Sequence, residues 1–185
     1  MKIRIARQED AAAISDIYAP IVRDTTISFE WEAPSKDEMS RRISKTLGTH
    51  PWLVAETEND VTAYAYATAH RSRTAYQWSC EVSVYVSAEH TRRGQARRLY
   101  EVLFDLLRRQ NFVTAYAGIT QPNDPSIGFH KSMGFEHIGT YRNVGYKHGA
   151  WRDVSWMGKS LQVPTVPHAL PIPFKDLPDE GKLLS

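Results

Sequence analysis

Glu81 stands in the middle of "SCEVSVYV" (Ser79–Val86), where Val82, Val84 and Val86 alternate with Glu81, Ser83 and Tyr85. Such alternation describes a strand with one apolar and one polar face, and it puts Glu81 on the polar face. A carboxylate in that place is either an ordinary solvated strand residue or a general base. Shortly after comes "HTRRGQARRLYEVLFDLL" (His90–Leu107), whose Leu99, Leu103, Leu106 and Leu107 recur at helical spacing. Arg92, Arg93, Arg97 and Arg98 crowd its first turns, although a helix start carries partial positive charge and favours acidic residues. Something negative is expected there.

Three readings of that turn stand open. It is a solvated helix start, a nucleic-acid patch, or a phosphate cradle. In the third, a strand, a tight turn with Gly94 and small Ala96, and a helix aim backbone N–H groups at an anion, while Arg92 and Arg93 add charge. The "GKS" at Gly158–Ser160 is no Walker loop, since Asp153 stands where that motif needs its first glycine.

His130 follows Asn123 by seven residues in "PNDPSIGFHKSMGF", two turns along one helix, so the two face similarly. Asn123 is placed to cap that helix. A histidine titrating near neutrality can serve as acid or relay, and a partly exposed helix histidine is the plainer alternative. Upstream of Glu81, "HRSRTAYQW" offers Arg71, Arg73, Tyr76 and Trp78. Arginine forks suit a carboxylate or phosphinate, and a solvated hairpin loop is an equal alternative. Cys80 points away from Glu81 by alternation and reads as a small core residue; Trp151 and Trp156 read as core aromatics. H-E-x-x-H, G-x-S-x-G and G-x-G-x-x-G are all absent, and the seven histidines do not group with carboxylates, so no metal is expected.

The elements that must position these residues follow from periodicity. Lys2–Ala6 alternates as a strand, and Glu9–Arg23 carries Ala12, Ala13, Ile17 and Ile21 at helical intervals. "TTISFEWEAP" (Thr25–Pro34) is a loop rich in large side chains. Ser35 opens a capping box with Glu38, ahead of the stripe Met39, Ile43, Leu47. "PWLVAET" and "VTAYAYATAH" are strands joined by a hairpin at Glu58, Asn59 and Asp60. The Glu81 strand, the long helix, a strand "VTAYAGI", a helix from Asn123 to Gly134, and closing strands "FEHIGTYR" and "RDVSWMGKSL" complete the order β-α-α-β-β-β-α-β-α-β-β. This predicts an α/β (α+β) domain around a mostly antiparallel mixed sheet over residues 1–161. From Gln162 the chain holds Pro164, Pro167, Pro171, Pro173 and Pro178 without periodicity, and reads as an extended or partly disordered tail over 162–185.

The 185 residues suit one domain, and 23 basic against 21 acidic residues give a net charge of +2. That balance argues against a general nucleic-acid or membrane-surface binder. One cysteine permits no intrachain disulfide, and no apolar run is long enough to span a membrane, so a cytoplasmic protein is expected.

"VYVSAEHTRRGQARRLYEVLF" resembles motif A of the GNAT superfamily of N-acetyltransferases, where Q/R-x-x-G-x-G/A binds the pyrophosphate of acetyl-CoA; Thr91 stands where that motif has Arg or Gln. "AYQWSCEVSVYV", "PNDPSIGFHKSMGF" and "GYKHGAWRDVSW" are similar to the phosphinothricin and methionine sulfoximine N-acetyltransferase branch. The resemblance covers the chain to about Leu161 and implies the GNAT fold. It implies acetyl-CoA on the backbone of Val84, Tyr85 and Val86, on Arg92, Arg93, Gly94, Gln95, Ala96 and Arg97, and on Asn123. It implies that the Glu81 strand splays from its neighbour, that Glu81 is the general base, and that His130 protonates the departing thiolate. Phe29 and Glu30 resemble the branch's substrate-side wall, beside Arg71, Arg73, Tyr76 and Trp78; "GYKHGAWRD" is a further wall, at a homodimer interface. The expected reaction is direct acetyl transfer to the α-amine of a small amino-acid-like molecule. Other amine acceptors, a CoA-binding sensor without turnover, and a nucleic-acid module remain as rival readings.

Overall fold

The computed structural model describes residues 1–58 and 60–178. Strands β1 (Lys2–Ile5), β2 (Trp52–Thr57), β3 (Asp60–Ala69), β4 (Ser79–Val86), β5 (Thr114–Thr120), β6 (Glu136–Lys147) and β7 (Ala150–Ser160) form one sheet in the order β1-β2-β3-β4-β5-β7-β6. Neighbours are antiparallel except β4 and β5. That one parallel pair needs a crossover, and α3 (Gln95–Arg109) supplies it. Helices α1 (Ala11–Asp24), α2 (Lys36–Leu47) and α4 (Asp124–Ser132) complete the expected element order.

Alternation divides the core. Odd residues of β2 and β3 (Leu53, Ala55, Ala63, Ala65, Ala67), with Cys80 and Val82 of β4, bury against Leu99, Leu103, Leu106 and Leu107 of α3. Trp52, Val54 and Tyr64 point the other way and bury against α1 and α2 through Ile14, Ile17, Tyr18, Met39 and Ile43. β3 thus presents small alanines to α3 and tyrosines to α1 and α2. Ser35 Oγ accepts the Glu38 amide at 3.1 Å. The Glu38 carboxylate, expected to reach back to the cap, turns instead to Arg42 at 3.0 Å and Arg41 at 2.9 Å. Of the hairpin residues between β2 and β3, Asn59 lies outside the described residues.

Three expectations need correction. The closing strands are longer than alternation suggests: β6 runs on to Lys147 through an irregularity between Tyr141 and Gly145. Asp153 makes this possible by accepting from the Asn143 amide at 2.8 Å and from Arg142 at 2.9 Å. The tail is extended but docked through Pro178, with Phe174 and Leu177 buried in the α3 core. Gln110 binds it by donating to Ile172 O at 2.7 Å and to Thr49 O at 2.9 Å, while the Phe174 amide donates to Thr49 O. Residues 179–185 of the tail lie outside the described part. Finally, Trp151 is 62% exposed, not core, and Trp156 lines a cavity described below.

Candidate active site

β4 and β5 pair over only three positions, Ser79↔Thr114, Cys80↔Ala115 and Glu81↔Tyr116, and then part. β4 stays paired to β3 on its other edge up to Val86↔Ala63. Trp78 O accepts from Val113 N on the β5 side, and Ser87 N–H donates to Thr62 O on the β3 side. By alternation, the amides of Val84 and Val86 therefore face the gap, and that of Tyr85 faces β3. Tyr85 borders the gap too, but with its amide turned to β3 and its ring packed on Tyr18 and Tyr64, each at 5.2 Å. The gap is a narrow cavity of about 60 Å³ walled by Val84, Gly118, Tyr100, Asn123 and His130.

At the far end of β4, α3 begins without a side-chain cap. Gly94 adopts the left-handed conformation (φ +79°), and the first intrahelical bond runs from Arg98 N–H to Gly94 O. The amides of Gln95, Ala96 and Arg97 therefore have no acceptor within the helix. Arg92 (φ +61°) and Arg93 are exposed beside them. Gln95 differs from expectation in its side chain, which is buried and donates to Thr62 Oγ1 at 2.9 Å, so it anchors the turn to β3. Arg97 reaches across to Ser132 Oγ at 2.9 Å, and the Thr91 hydroxyl closes on Ala88 O at 3.2 Å.

Glu81 sits where the strands part, in a cavity of about 480 Å³ bounded by Phe29, Arg71, Tyr66, Val144 and Trp156. Its Oε1 accepts from His70 Nδ1 at 2.9 Å and lies 3.7 Å from an Arg71 guanidinium nitrogen. An ionised carboxylate only accepts, so His70 carries the proton on Nδ1. The His70 ring stacks on Tyr116 at 4.5 Å and meets Trp156 edge-on at 5.9 Å and Tyr76 at 6.1 Å. The Arg71 guanidinium lies 5.8 Å from the Trp156 ring centroid. Gly118 allows this packing, because a Cβ there would meet Trp156 at 3.3 Å. Sequence reasoning passed over His70. The signal was available in the hairpin: Thr68 pairs with Glu81, and His70 shares its face two residues on.

Phe29 is held flush against β6, where a Cβ on Gly145 would come within 2.2 Å of its ring. Buried Lys147 ties this loop to α1 by donating to Ser28 O at 2.7 Å and Val22 O at 2.6 Å. Other substrate-side expectations are not met by the geometry. Glu30 does not bound the Glu81 cavity; both its oxygens accept from Arg42, at 2.7 and 3.1 Å, and Tyr18 donates to it at 2.9 Å. Arg73 and Tyr76 line a hollow against the tail that Arg71 divides from the Glu81 cavity. Trp78 turns to the tail and donates its indole N–H to Ala169 O at 2.8 Å.

Asn123 caps α4, its Oδ1 accepting from Ser126 N at 3.2 Å, and His130 shares the gap with it as spacing predicts. His130 is 5% exposed, and burial pulls its pKa below the ordinary value. Its Nδ1 donates to Ser126 O at 2.8 Å, which leaves Nε2 to accept from the Tyr100 hydroxyl at 3.2 Å. The imidazole is thus tied to Ser126 and to the Tyr100 hydroxyl in the wall of the gap. Cys80 is buried, and burial raises its thiol well above the usual range. Among the described residues, no helix is long and apolar enough to cross a membrane.

Residues 3–156 match the family model described as "Acetyltransferase (GNAT) domain". The chain is 37% identical over 167 residues to phosphinothricin N-acetyltransferase of Streptomyces viridochromogenes, covering 90% of this chain and 91% of that one. It is 34% identical over 172 residues to the L-methionine sulfoximine/L-methionine sulfone acetyltransferase of Salmonella typhimurium, covering 91% and 99%. Among solved structures, a GNAT superfamily phosphinothricin acetyltransferase from Sinorhizobium meliloti in complex with AcCoA superposes with a TM-score of 0.85. That match has 32% identity and covers 96% of this chain and 95% of that one.

Proposed function

This chain belongs to the GNAT family of acetyltransferases, and on that premise we propose that it transfers the acetyl group of acetyl-CoA to the α-amine of a small amino-acid-like acceptor. One observation carries the reading: Glu81 stands at the point where β4 and β5 part, between a gap lined with free amides and a cavity of about 480 Å³. The residues present suit acetyl-CoA. The amides at the start of α3, with Arg92 and Arg93, suit its pyrophosphate. The gap-facing amides of Val84 and Val86 suit its pantetheine arm and the acetyl carbonyl. Acetyl-CoA supplies the acetyl group as a thioester.

The chain's own part begins with the acceptor's ammonium proton. Oε1 of Glu81 is held by His70 and faced by Arg71, so Oε2 is the oxygen that takes this proton, directly or through a water. His70 is here a positioning residue. The freed amine attacks the acetyl carbonyl directly, since the one cysteine lies on the opposite face with its thiol protonated; as the C–N bond forms the thioester C–S bond breaks, and the departing thiolate takes up the second proton that the nitrogen sheds. Arg71 supplies a fork for the acceptor's anionic group. His130 holds the Tyr100 hydroxyl in the wall of the gap, where the pair relays that second proton to the thiolate.

Phosphinothricin and methionine sulfoximine are the acceptors that the relatives' names offer. A homodimer is supported by Ile138, Tyr146 and Trp151, exposed on the edge hairpin β6–β7. The test is free-thiol release from acetyl-CoA against phosphinothricin, methionine sulfoximine, ordinary amino acids and polyamines. Selective turnover of amino-acid-like acceptors, reduced at least a hundredfold in Glu81→Gln, is expected. CoA binding without release on any amine would sink the reading.

A further inference from the structure

We propose that Lys147 is a positioning residue for acetyl transfer: from the end of β6 its ammonium sets the loop after α1, and with it Ile27 and Phe29, against the donor gap and the Glu81 cavity. This rests on the acetyl-transfer reading above and adds a residue to it. The middle of that loop is Ser28, which is buried, and the side chains on either side of it reach the site. Phe29 bounds the Glu81 cavity. Ile27 bounds that cavity, the gap between β4 and β5, and an outer hollow shared with Asn123 and Arg152. Neither helix nor strand fixes residues 25–30, so the place of these two walls depends on what holds the loop backbone.

The β6–β7 hairpin holds it. Lys147 Nζ donates to Ser28 O at 2.7 Å and to Val22 O at 2.6 Å. Val22 O belongs to the last turn of α1, where carbonyls lack donors within the helix and a cation is favoured. His148, the next residue, donates from Nε2 to Thr25 O at 3.2 Å. Carbonyls 22, 25 and 28 thus all answer to the hairpin, and Gly145, two residues before Lys147, makes room for the Phe29 ring. The choice of a cation is the telling point. Lys147 is 2% exposed, and its hydrogen bonds go to neutral carbonyls. Burial pulls its pKa below the ordinary value, opposed by the charge of Glu30, whose own oxygens are held by Arg42. An apolar side chain would fill this place without the cost of burying a charge. It would also leave Ser28 O and Val22 O without their donor and the loop without its tie to α1.

The test removes the donor and keeps the stem. Lys147→Met should raise the KM for the amine at least fivefold and leave the KM for acetyl-CoA within twofold of wild type. Lys147→Gln, which keeps a donor on a shorter stem, should recover part of the loss, and it replaces Lys147→Met in every comparison if that variant does not fold. Phe29→Ala should also raise the KM for the amine. Because Lys147 acts through the loop, the double variant should be no worse than the larger single effect, within twofold. Multiplied effects in the double variant overturn the proposal. So does an amine KM equal to wild type, or a rise shared equally by both substrates, which a general loss of stability would give. If the wild-type protein turns over no amine, the acetyl-transfer reading fails by itself. The tie on the loop is then read from amide hydrogen exchange over residues 25–30, which should quicken at least tenfold in Lys147→Met relative to β2 and β3; an unchanged rate overturns the tie as well.

Discussion

The two oxygens of Glu81 are not equivalent. Oε1 accepts from His70 at 2.9 Å, with Arg71 at 3.7 Å, and on the proposed mechanism Oε2 is the oxygen left to take the acceptor's proton. A hydrogen bond to a charged group is worth about 1.5–3 kcal/mol, or roughly tenfold to a hundredfold in rate if it acts on the base. His70→Ala should therefore lower kcat by that amount and leave the KM for acetyl-CoA unmoved. His70→Gln, which keeps a donor, should recover part of the loss. Steady-state kinetics on both variants checks this, and an unchanged kcat in His70→Ala would remove His70 from the mechanism. Glu81 was legible from alternation because its face is set by its own strand. Glu30 and Trp78 misled because a side chain near the site in sequence can be claimed by a partner far away, Arg42 in one case and Ala169 in the other.

At the scale of elements, local pattern served well where one segment decides the outcome. The α3 stripe, the Ser35 cap and the arginine-rich turn each depend on a few neighbours. The parting of β4 from β5 does not, because it depends on how two strands joined by a whole helix settle in register. The family resemblance supplied it and the residues did not. The turn that ends the gap offers a clean measurement. A Cβ on Gly94 would meet nothing within 4 Å, so the cost of Gly94→Ala is confined to its φ of +79°. That cost is about 1–2 kcal/mol. Part of it should appear as a lowered Tm and part as a turn that no longer presents its amides. The KM for acetyl-CoA should rise several-fold while the KM for the amine stays put. An acetyl-CoA KM equal to wild type would mean that the turn does not hold the donor.

At the scale of the molecule, the docked tail changes what counts as the site. Composition read it as loose because prolines give no periodic signal, yet Phe174 and Leu177 fill the α3 core and Gln110 binds the segment from below. Its contacts gather at the far end of α3 and on the β3–β4 loop that carries His70 and Arg71, including Trp78 and the hollow lined by Arg73 and Tyr76. α3 has 15 residues, so the tail meets the helix about 22 Å from the Gly94 turn proposed for the pyrophosphate. Loosening the tail should therefore disturb acceptor binding and spare donor binding. Phe174→Ala should cost about 3–5 kcal/mol of stability through the cavity it leaves and raise the KM for the amine. Trp78→Phe, which removes the bond to Ala169 O and trims the ring beside His168, should raise that KM with a smaller loss of Tm than Phe174→Ala. If both variants instead raise the KM for acetyl-CoA, the tail acts through α3 as a rigid body, and the β3–β4 loop does not transmit its effect.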